Sequence, residues 1–398
     1  MRNDPMARPW KAASRRWLAI AGFCLASLCA HASENSQTWE GTIGKLPVVV
    51  RLDPSGGAFD DQYFYRKHRR GIDLNAARGD DGSLRLEERR PSWGAPDSVW
   101  TLAPPSEDGR LRGEWRQGER TLPIALRRVD PAQLPASDDP GLNAMRQDDP
   151  YGFLRFVDVK FEAGKEETVG AFRLQWWREP ESDIALFRVL SGYPDAQLAD
   201  ANRALARRHW REVAASLDCR GAEMSDYTVA TTLRYIGRDA LSVSLHADYF
   251  CGGAHPDFGD NPFNYDPRTG HELALEDVLW LGEGAPPDRE RDNDAWMTYR
   301  NEVFAPWVVE RMSALYPDEV VPAMSSDDAN AGARDEDDPG CIYDSPDLWN
   351  YASWHLRPEG VYLGASFARV GRVCDDPPWS VLPWDEVRKH AGAVKIEP

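Results

Sequence analysis

From residue 37 to about 129, apolar positions recur in short runs broken by turn residues, with the period of two that a sheet with one wet face requires. Pro47 to Leu52 is an apolar run closed by Asp53-Pro54-Ser55-Gly56-Gly57, and Ile72 with Leu74, then Leu84 with Leu86, alternate with polar neighbours. Val99 to Leu102, Leu111 to Trp115 and Leu122 to Leu126 continue the series. The pattern predicts seven or eight strands and no helix, an all-β antiparallel meander over 37–129. Such a meander must curl or pack on something, because a long flat apolar edge invites aggregation.

The pattern then changes. Pro131, Pro135, Pro140 and Gly141, interspersed with Asp138, Asp139, Asp148 and Asp149, mark 130–149 as a linker. A second domain, 150–396, opens with Tyr151 to Val157 and continues with strands near 169–178 and 184–190. Leu198, Asn202, Leu205, His209, Val213 and Leu217 recur at three- or four-residue spacing and predict a helix from about Ala196 to Leu217. Asn202 and His209 lie on its buried stripe, where each needs a backbone partner. Two strong strands follow, Tyr227 to Tyr235 and Leu241 to Phe250, then a helix from Ala295 to about Leu315 that Pro306 should kink or divide. Gly360 to Phe367 and Trp379 to Leu382 read as strands, with a short helix from Pro383. The fold class is α+β, a β domain followed by an α/β sandwich with helices packed on an antiparallel sheet.

Export enters with the first 32 of the 398 residues. Arg8, Lys11, Arg15 and Arg16 precede the apolar run Trp17 to Ala30, and Ala30-His31-Ala32 is a small-x-small cleavage pattern, so 1–32 reads as a signal peptide. The run is too short for a membrane anchor, and no later segment could span. A soluble periplasmic or secreted product is expected. Five of 47 basic and one of 65 acidic residues leave with the signal, taking the formal charge from −18 to −22. That charge repels a phosphate backbone, which argues against nucleic acid as a partner. Cys219, Cys251, Cys341 and Cys374 remain, an even number in an oxidising compartment. The pairing Cys219 with Cys251 and Cys341 with Cys374 is favoured, since each closes about 30 residues. No Cys-x-x-Cys exists to hold zinc.

Nucleophile elbow, zincin pair, phosphate loop and dinucleotide fingerprint are all missing from the mature sequence. The densest set of chemistry-bearing residues is His246-Ala247-Asp248-Tyr249-Phe250-Cys251-Gly252-Gly253-Ala254-His255-Pro256-Asp257. Its plainer reading is a disulfide-pinned loop, with Gly252, Gly253, His255 and Asp257 as binding-loop candidates, no catalytic residue and no cofactor. The alternative gathers His246, Asp248 and His255 around a metal, because His246 and Asp248 share a strand face and the glycines could turn His255 back. Asp327, Asp328, Asp335, Glu336, Asp337 and Asp338 lack EF-hand order and read as a solvated acidic loop. Arg66, Lys67, His68, Arg69 and Arg70 form a local basic patch suited to an anionic cell-wall polymer, to the other domain or to a charged hairpin tip. Trp176-Trp177 in a strand presents one ring to each face.

Tyr249-x-Cys251-Gly252-Gly253-Ala254-His255-Pro256, followed by Asn264-Tyr265-Asp266, Thr269-Gly270, Leu273, Leu275 and Asp277, resembles an exported domain of unknown function. That domain is shared by the lysozyme-sensing anti-sigma factor RsiV and the non-catalytic region of PdaC-type peptidoglycan deacetylases. Asn202, Leu356-x-Pro358-x-Gly360-Val361 and Leu382-Pro383-Trp384-x-Glu386-Val387 extend the resemblance over roughly 185–390. It implies helices packed on an antiparallel sheet and a role in protein recognition, including binding of lysozyme, and it carries no catalytic set. The chain departs from the anti-sigma factor in having no cytoplasmic sigma-binding segment. The expectation is a non-catalytic binding module of the cell envelope, its partner lysozyme, another cationic envelope protein or peptidoglycan. The alternative is a metal-assisted hydrolase or deacetylase acting on envelope sugars.

Overall fold

The computed structural model describes residues 36–54, 61–88, 98–220, 225–252, 254–320 and 340–397. The expected signal peptide, most of the acidic loop and Gly253 lie outside the described residues.

Eight antiparallel strands build the first unit: β1 (Gln37–Ile43), β2 (Leu46–Leu52), β3 (Gln62–Tyr65), β4 (Ile72–Arg78), β5 (Leu84–Glu88), β6 (Ser98–Leu102), β7 (Arg110–Gln117) and β8 (Arg120–Arg128). Each pairs with the next, and β8 returns to β1 with Trp39 opposite Arg128, so the meander closes into a barrel without an open edge. Inward positions fill the interior with Trp39, Val48, Leu74, Leu86, Trp100, Leu111, Trp115 and Ile124. One buried carboxylate stands among them. Glu88 Oε1 accepts from the Tyr63 hydroxyl at 2.8 Å, Trp100 Nε1 at 3.1 Å and Trp115 Nε1 at 2.7 Å.

The segment expected as a linker is largely helical. Asp139 accepts from Leu142 N at 2.7 Å and starts α1 (Pro140–Asp148), and Asp149 accepts from Gly152 N at 3.0 Å and starts α2 (Pro150–Phe156). Two Asp-Pro pairs that resemble linker punctuation are therefore N-caps followed by proline in the first turn, where no amide donor is needed. Tyr151 to Val157 opens the second unit as helix α2 and its C-cap. A Cβ on Gly141 would stand 2.4 Å from the Ala206 Cβ, so glycine there lets α1 lie directly on the next helix.

Further along are β9 (Glu162–Val169), β10 (Phe172–Arg178) and β11 (Ala185–Ser191), which form one sheet, and the long helix α3 (Asp195–Cys219). The two polar residues of the α3 stripe bond to the backbone of the β11 segment. Asn202 both accepts from and donates to Val189 at 2.8 Å, and His209 Nε2 donates to the Ile184 carbonyl at 3.0 Å. The second sheet comprises β12 (Asp226–Ile236), β13 (Leu241–Phe250), β14 (Asp257–Asp260), β15 (Phe263–Asp266) and β16 (His271–Glu272). Leu241, Val243 and Leu245 of β13 join Ala201 and Leu205 of α3 in a common core.

The C-terminal part adds α4 (Leu275–Val278), α5 (Asn293–Tyr299), α6 (Ala305–Leu315), β17 (Ser353–Arg357), β18 (Gly360–Gly364), β19 (Val381–Pro383) and α7 (Trp384–Lys389). The helix expected over 295–315 is not divided by its proline: the backbone stays helical from α5 through one π turn, Arg300–Phe304, into α6, and Pro306 sits in the first turn of α6, where the wider turn before it accommodates the missing amide donor. Cys219 bonds Cys251 and Cys341 bonds Cys374.

Barrel and α+β part share a core, since Val49 and Phe64 point out of the barrel to pack with Tyr151 and Phe153 of α2. Arg155, buried in α2, donates through Nε to the Arg69 carbonyl at 2.7 Å and through both Nη atoms to Asp218, which also takes the Gly71 amide at 3.0 Å. The backbone of the basic turn is therefore seated on α2 and α3. Asp218 is about half exposed, so solvent discounts the pair, and Arg155→Ala is expected to cost about 2 kcal/mol. Urea unfolding read by tryptophan fluorescence checks this, and an unchanged midpoint would refute the docking role.

Candidate functional site

The loop that sequence analysis singled out joins β13 to β14, with Asp248 opposite Phe258 and Tyr249 opposite Asp257. Gly252 has φ +90°, a conformation that favours glycine, directly after the disulfide-bonded Cys251. The far end of the loop is held by a residue the sequence did not mark. Arg372 ion-pairs with Asp257, donates to the Phe258 carbonyl, and lies 4.4 Å from the centroid of the Phe258 ring. Its Nε also bonds Asp375 at 2.9 Å, next to Cys374 of the second disulfide. Each end of the loop is thus tied to a different crosslink.

His246, Asp248 and His255 do not converge. His246 Nε2 lies 3.9 Å from Asp248 Oδ2, whereas the exposed His255 donates through Nδ1 to the neighbouring Pro256 carbonyl at 3.2 Å. Among the described residues, no group of three His, Cys, Asp or Glu side chains gathers at metal-binding separations.

The polar face of β13 assembles a cluster that was not legible in advance. Its even positions, Ser242, Ser244 and His246, turn away from α3, toward the side that β17 covers. Ser242 bonds Asn264 and receives the Leu356 amide at 3.0 Å, and Ser244 donates to Asp260 Oδ2 at 2.8 Å. Burial pushes the Asp260 carboxyl above its usual range, against the pull of Ser244, Arg234 and His246. Burial likewise raises Asp376, which accepts from Ser353 Oγ at 2.8 Å. His355 stacks on Tyr362 with ring centroids 4.3 Å apart and accepts at Nε2 from Arg357 at 3.1 Å. Burial, followed by the charges of Arg234 and Arg357, brings its pKa down to about 3. Among the described residues, Asp260 Oδ1, Arg234 Nε and His355 Nδ1 are enclosed without a hydrogen-bond partner.

The sign of the pH response follows. A histidine whose folded pKa lies below its unfolded value near 6.5 contributes stability above that value, and loses it as pH falls toward 3. His209, lowered to about 3 by burial and then by Arg188, acts in the same direction. The raised carboxylates Asp260 and Asp376 act oppositely. His355→Gln is therefore expected to remove about one proton of uptake on unfolding near pH 5, flattening the stability profile by about 1.4 kcal/mol per pH unit. Unfolding free energies measured between pH 4 and 6.5 test this, and an unchanged slope would show that His355 is not held neutral.

Beside the loop stands an exposed apolar pair. The 3-10 turn Arg369–Cys374 carries Val370, 100% exposed, and Val373, 76% exposed, while Arg372 between them reaches back to Asp257. In such a turn, positions i and i+3 eclipse, so both valines present one apolar ridge. No protein-family model matches the chain, and no curated protein sequence matches it.

Proposed function

We propose that the chain is an exported, non-catalytic binding protein of the cell envelope, with an α/β sandwich as its recognition domain and lysozyme or another cationic envelope protein as its partner. The observation that carries this reading is the valine ridge fixed beside a doubly anchored loop. Covering two exposed apolar side chains yields about 1.5–3 kcal/mol each on full burial, and a surface already rigid loses little entropy on binding. The formal charge of −18, or −22 after cleavage at Ala32, favours encounter with a cationic partner. The resemblance of the loop and C-terminal motifs to the lysozyme-sensing domain supports the same partner class. In this reading Gly252, His255 and Asp257 shape the contact surface, and the histidines perform no chemistry.

Val370→Asp combined with Val373→Asp is expected to weaken lysozyme binding at physiological salt at least tenfold while leaving circular dichroism unchanged. Titration calorimetry against lysozyme, with a peptidoglycan pull-down in parallel, makes the measurement. Retention on peptidoglycan alone would reassign the partner to the glycan. Absence of both interactions, or stoichiometric zinc lost on His246→Ala, would remove the reading.

A further inference from the structure

The barrel carries a second site, independent of the loop, on the outer wall formed by β1, β7 and β8. A concavity of about 360 Å³ is lined by Glu40, Arg66, Arg110, Arg112, Ala125 and Arg127, with the backbone of Gly41 and Leu126. Four guanidinium groups face one carboxylate in a chain whose formal charge is −18. Strand register explains the assembly. Glu40 and Arg110 both stand directly opposite Arg127, and Arg112 stands opposite Ala125, whose small side chain leaves the floor open. Glu40 holds Arg66 at 2.8 Å and Arg127 at 2.5 Å, orienting the two forks.

Fold stability accounts for this arrangement only in part. Like charges directly opposite across antiparallel strands are destabilising, and Arg110 faces Arg127 in that way; Asp108 pairs with the Arg110 Nε at 3.1 Å, an exposed pair that contributes little, and Arg112 has no carboxylate within ion-pair distance among the described residues. An incoming oxyanion reverses the sign of that interaction. A phosphate monoester, with nearly two negative charges and three acceptor oxygens, matches several guanidinium forks better than one carboxylate does. The acidic chain as a whole repels an extended polyanion, which favours a compact ligand. Glu40 adds a hydrogen-bond acceptor that an ionised phosphate monoester group cannot use and a neighbouring sugar hydroxyl can, without the proton that inorganic phosphate would have to keep to reach it.

We propose that this concavity binds a sugar phosphate, its phosphate on Arg110, Arg112 and Arg127 and a hydroxyl on Glu40. The same chemistry is offered by a free sugar phosphate and by the head group of a phosphorylated glycolipid. The test titrates glucosamine 1-phosphate, inorganic phosphate and glucosamine into the full protein, and co-sediments the protein with phosphatidylcholine vesicles with and without a phosphorylated glucosamine glycolipid. Saturable binding of glucosamine 1-phosphate is expected, tighter than inorganic phosphate and absent for glucosamine. Combining Arg110→Ala with Arg112→Ala should weaken it at least tenfold. Retention on the glycolipid vesicles assigns the source to a head group, and soluble binding alone assigns it to the free compound. Because the double variant relieves charge repulsion, its unfolding midpoint should be unchanged or higher, which separates lost binding from lost fold. Glu40→Gln should narrow the preference for the sugar phosphate over inorganic phosphate. The absence of saturable phosphate binding at millimolar concentration, or binding unaltered in the arginine double variant, overturns the site. An unaltered preference in Glu40→Gln overturns the role of the hydroxyl.

Discussion

Glu88→Ala is expected to destabilise the protein by about 4–6 kcal/mol, since losing the acceptor of several buried donors costs about 1–3 kcal/mol for each. The donors are Tyr63, Trp100 and Trp115, all on the same carboxylate oxygen inside a barrel filled chiefly by apolar side chains. Their rings also pack together, with Tyr63 edge-on to Trp100 at 4.8 Å between centroids. Removing the carboxyl therefore strands polar atoms and opens a void in one stroke. Glu88→Gln keeps an acceptor oxygen and should cost about 1–2 kcal/mol, the difference between a charged and a neutral acceptor. Guanidinium unfolding followed by the fluorescence of the barrel tryptophans measures both variants. An alanine variant within 1 kcal/mol of the parent would mean that water replaces the carboxylate, and the barrel would have to be regarded as wet inside.

Loss of both disulfides should have an effect of similar size. The bridges span 32 and 33 residues. In the chain-entropy model each contributes about 3–4 kcal/mol, roughly 7 kcal/mol for the two. The consequences differ by location. Cys219 ends α3, one residue after Asp218, so the variant Cys219→Ser with Cys251→Ser should loosen both the loop and the seat of the barrel turn. Cys374 closes the turn that carries Arg372, so Cys341→Ser with Cys374→Ser should release Asp257 while leaving Arg155 with Asp218. Hydrogen exchange at Asp257 to Asp260 and at Gly71 distinguishes the two outcomes. Equal exchange in both double variants would show that the crosslinks act only through global stability.

The candidate site was legible in part. The glycines, the cysteine and the loop histidine stand within a dozen residues, and strand alternation already placed His246 and Asp248 on one face. Arg372 was not legible, because it lies over 100 residues beyond Asp257 and nothing in its own neighbourhood marks it as a clamp. The same holds for Asp376, whose partner Ser353 lies on β17, and for His355, which stacks on Tyr362 of β18. The Asp-Pro pairs at 139–140 and 149–150 carried a helix-start signal as strong as their linker signal, and packing of α1 on α3 decided between them.

Local periodicity by itself gave the barrel strands to within one, the α3 stripe and its two polar residues, and loop length favoured the cysteine pairing that the structure shows. These depend on neighbours within a few residues or on loop length, quantities a linear chain contains. Tertiary structure alone decided that β8 returns to β1, that Glu88 gathers donors from three strands, and that Arg66, Arg110, Arg112 and Arg127 meet around Ala125. Each depends on which strand lies beside which and in what register. A shift of one residue would turn every such side chain to the opposite face.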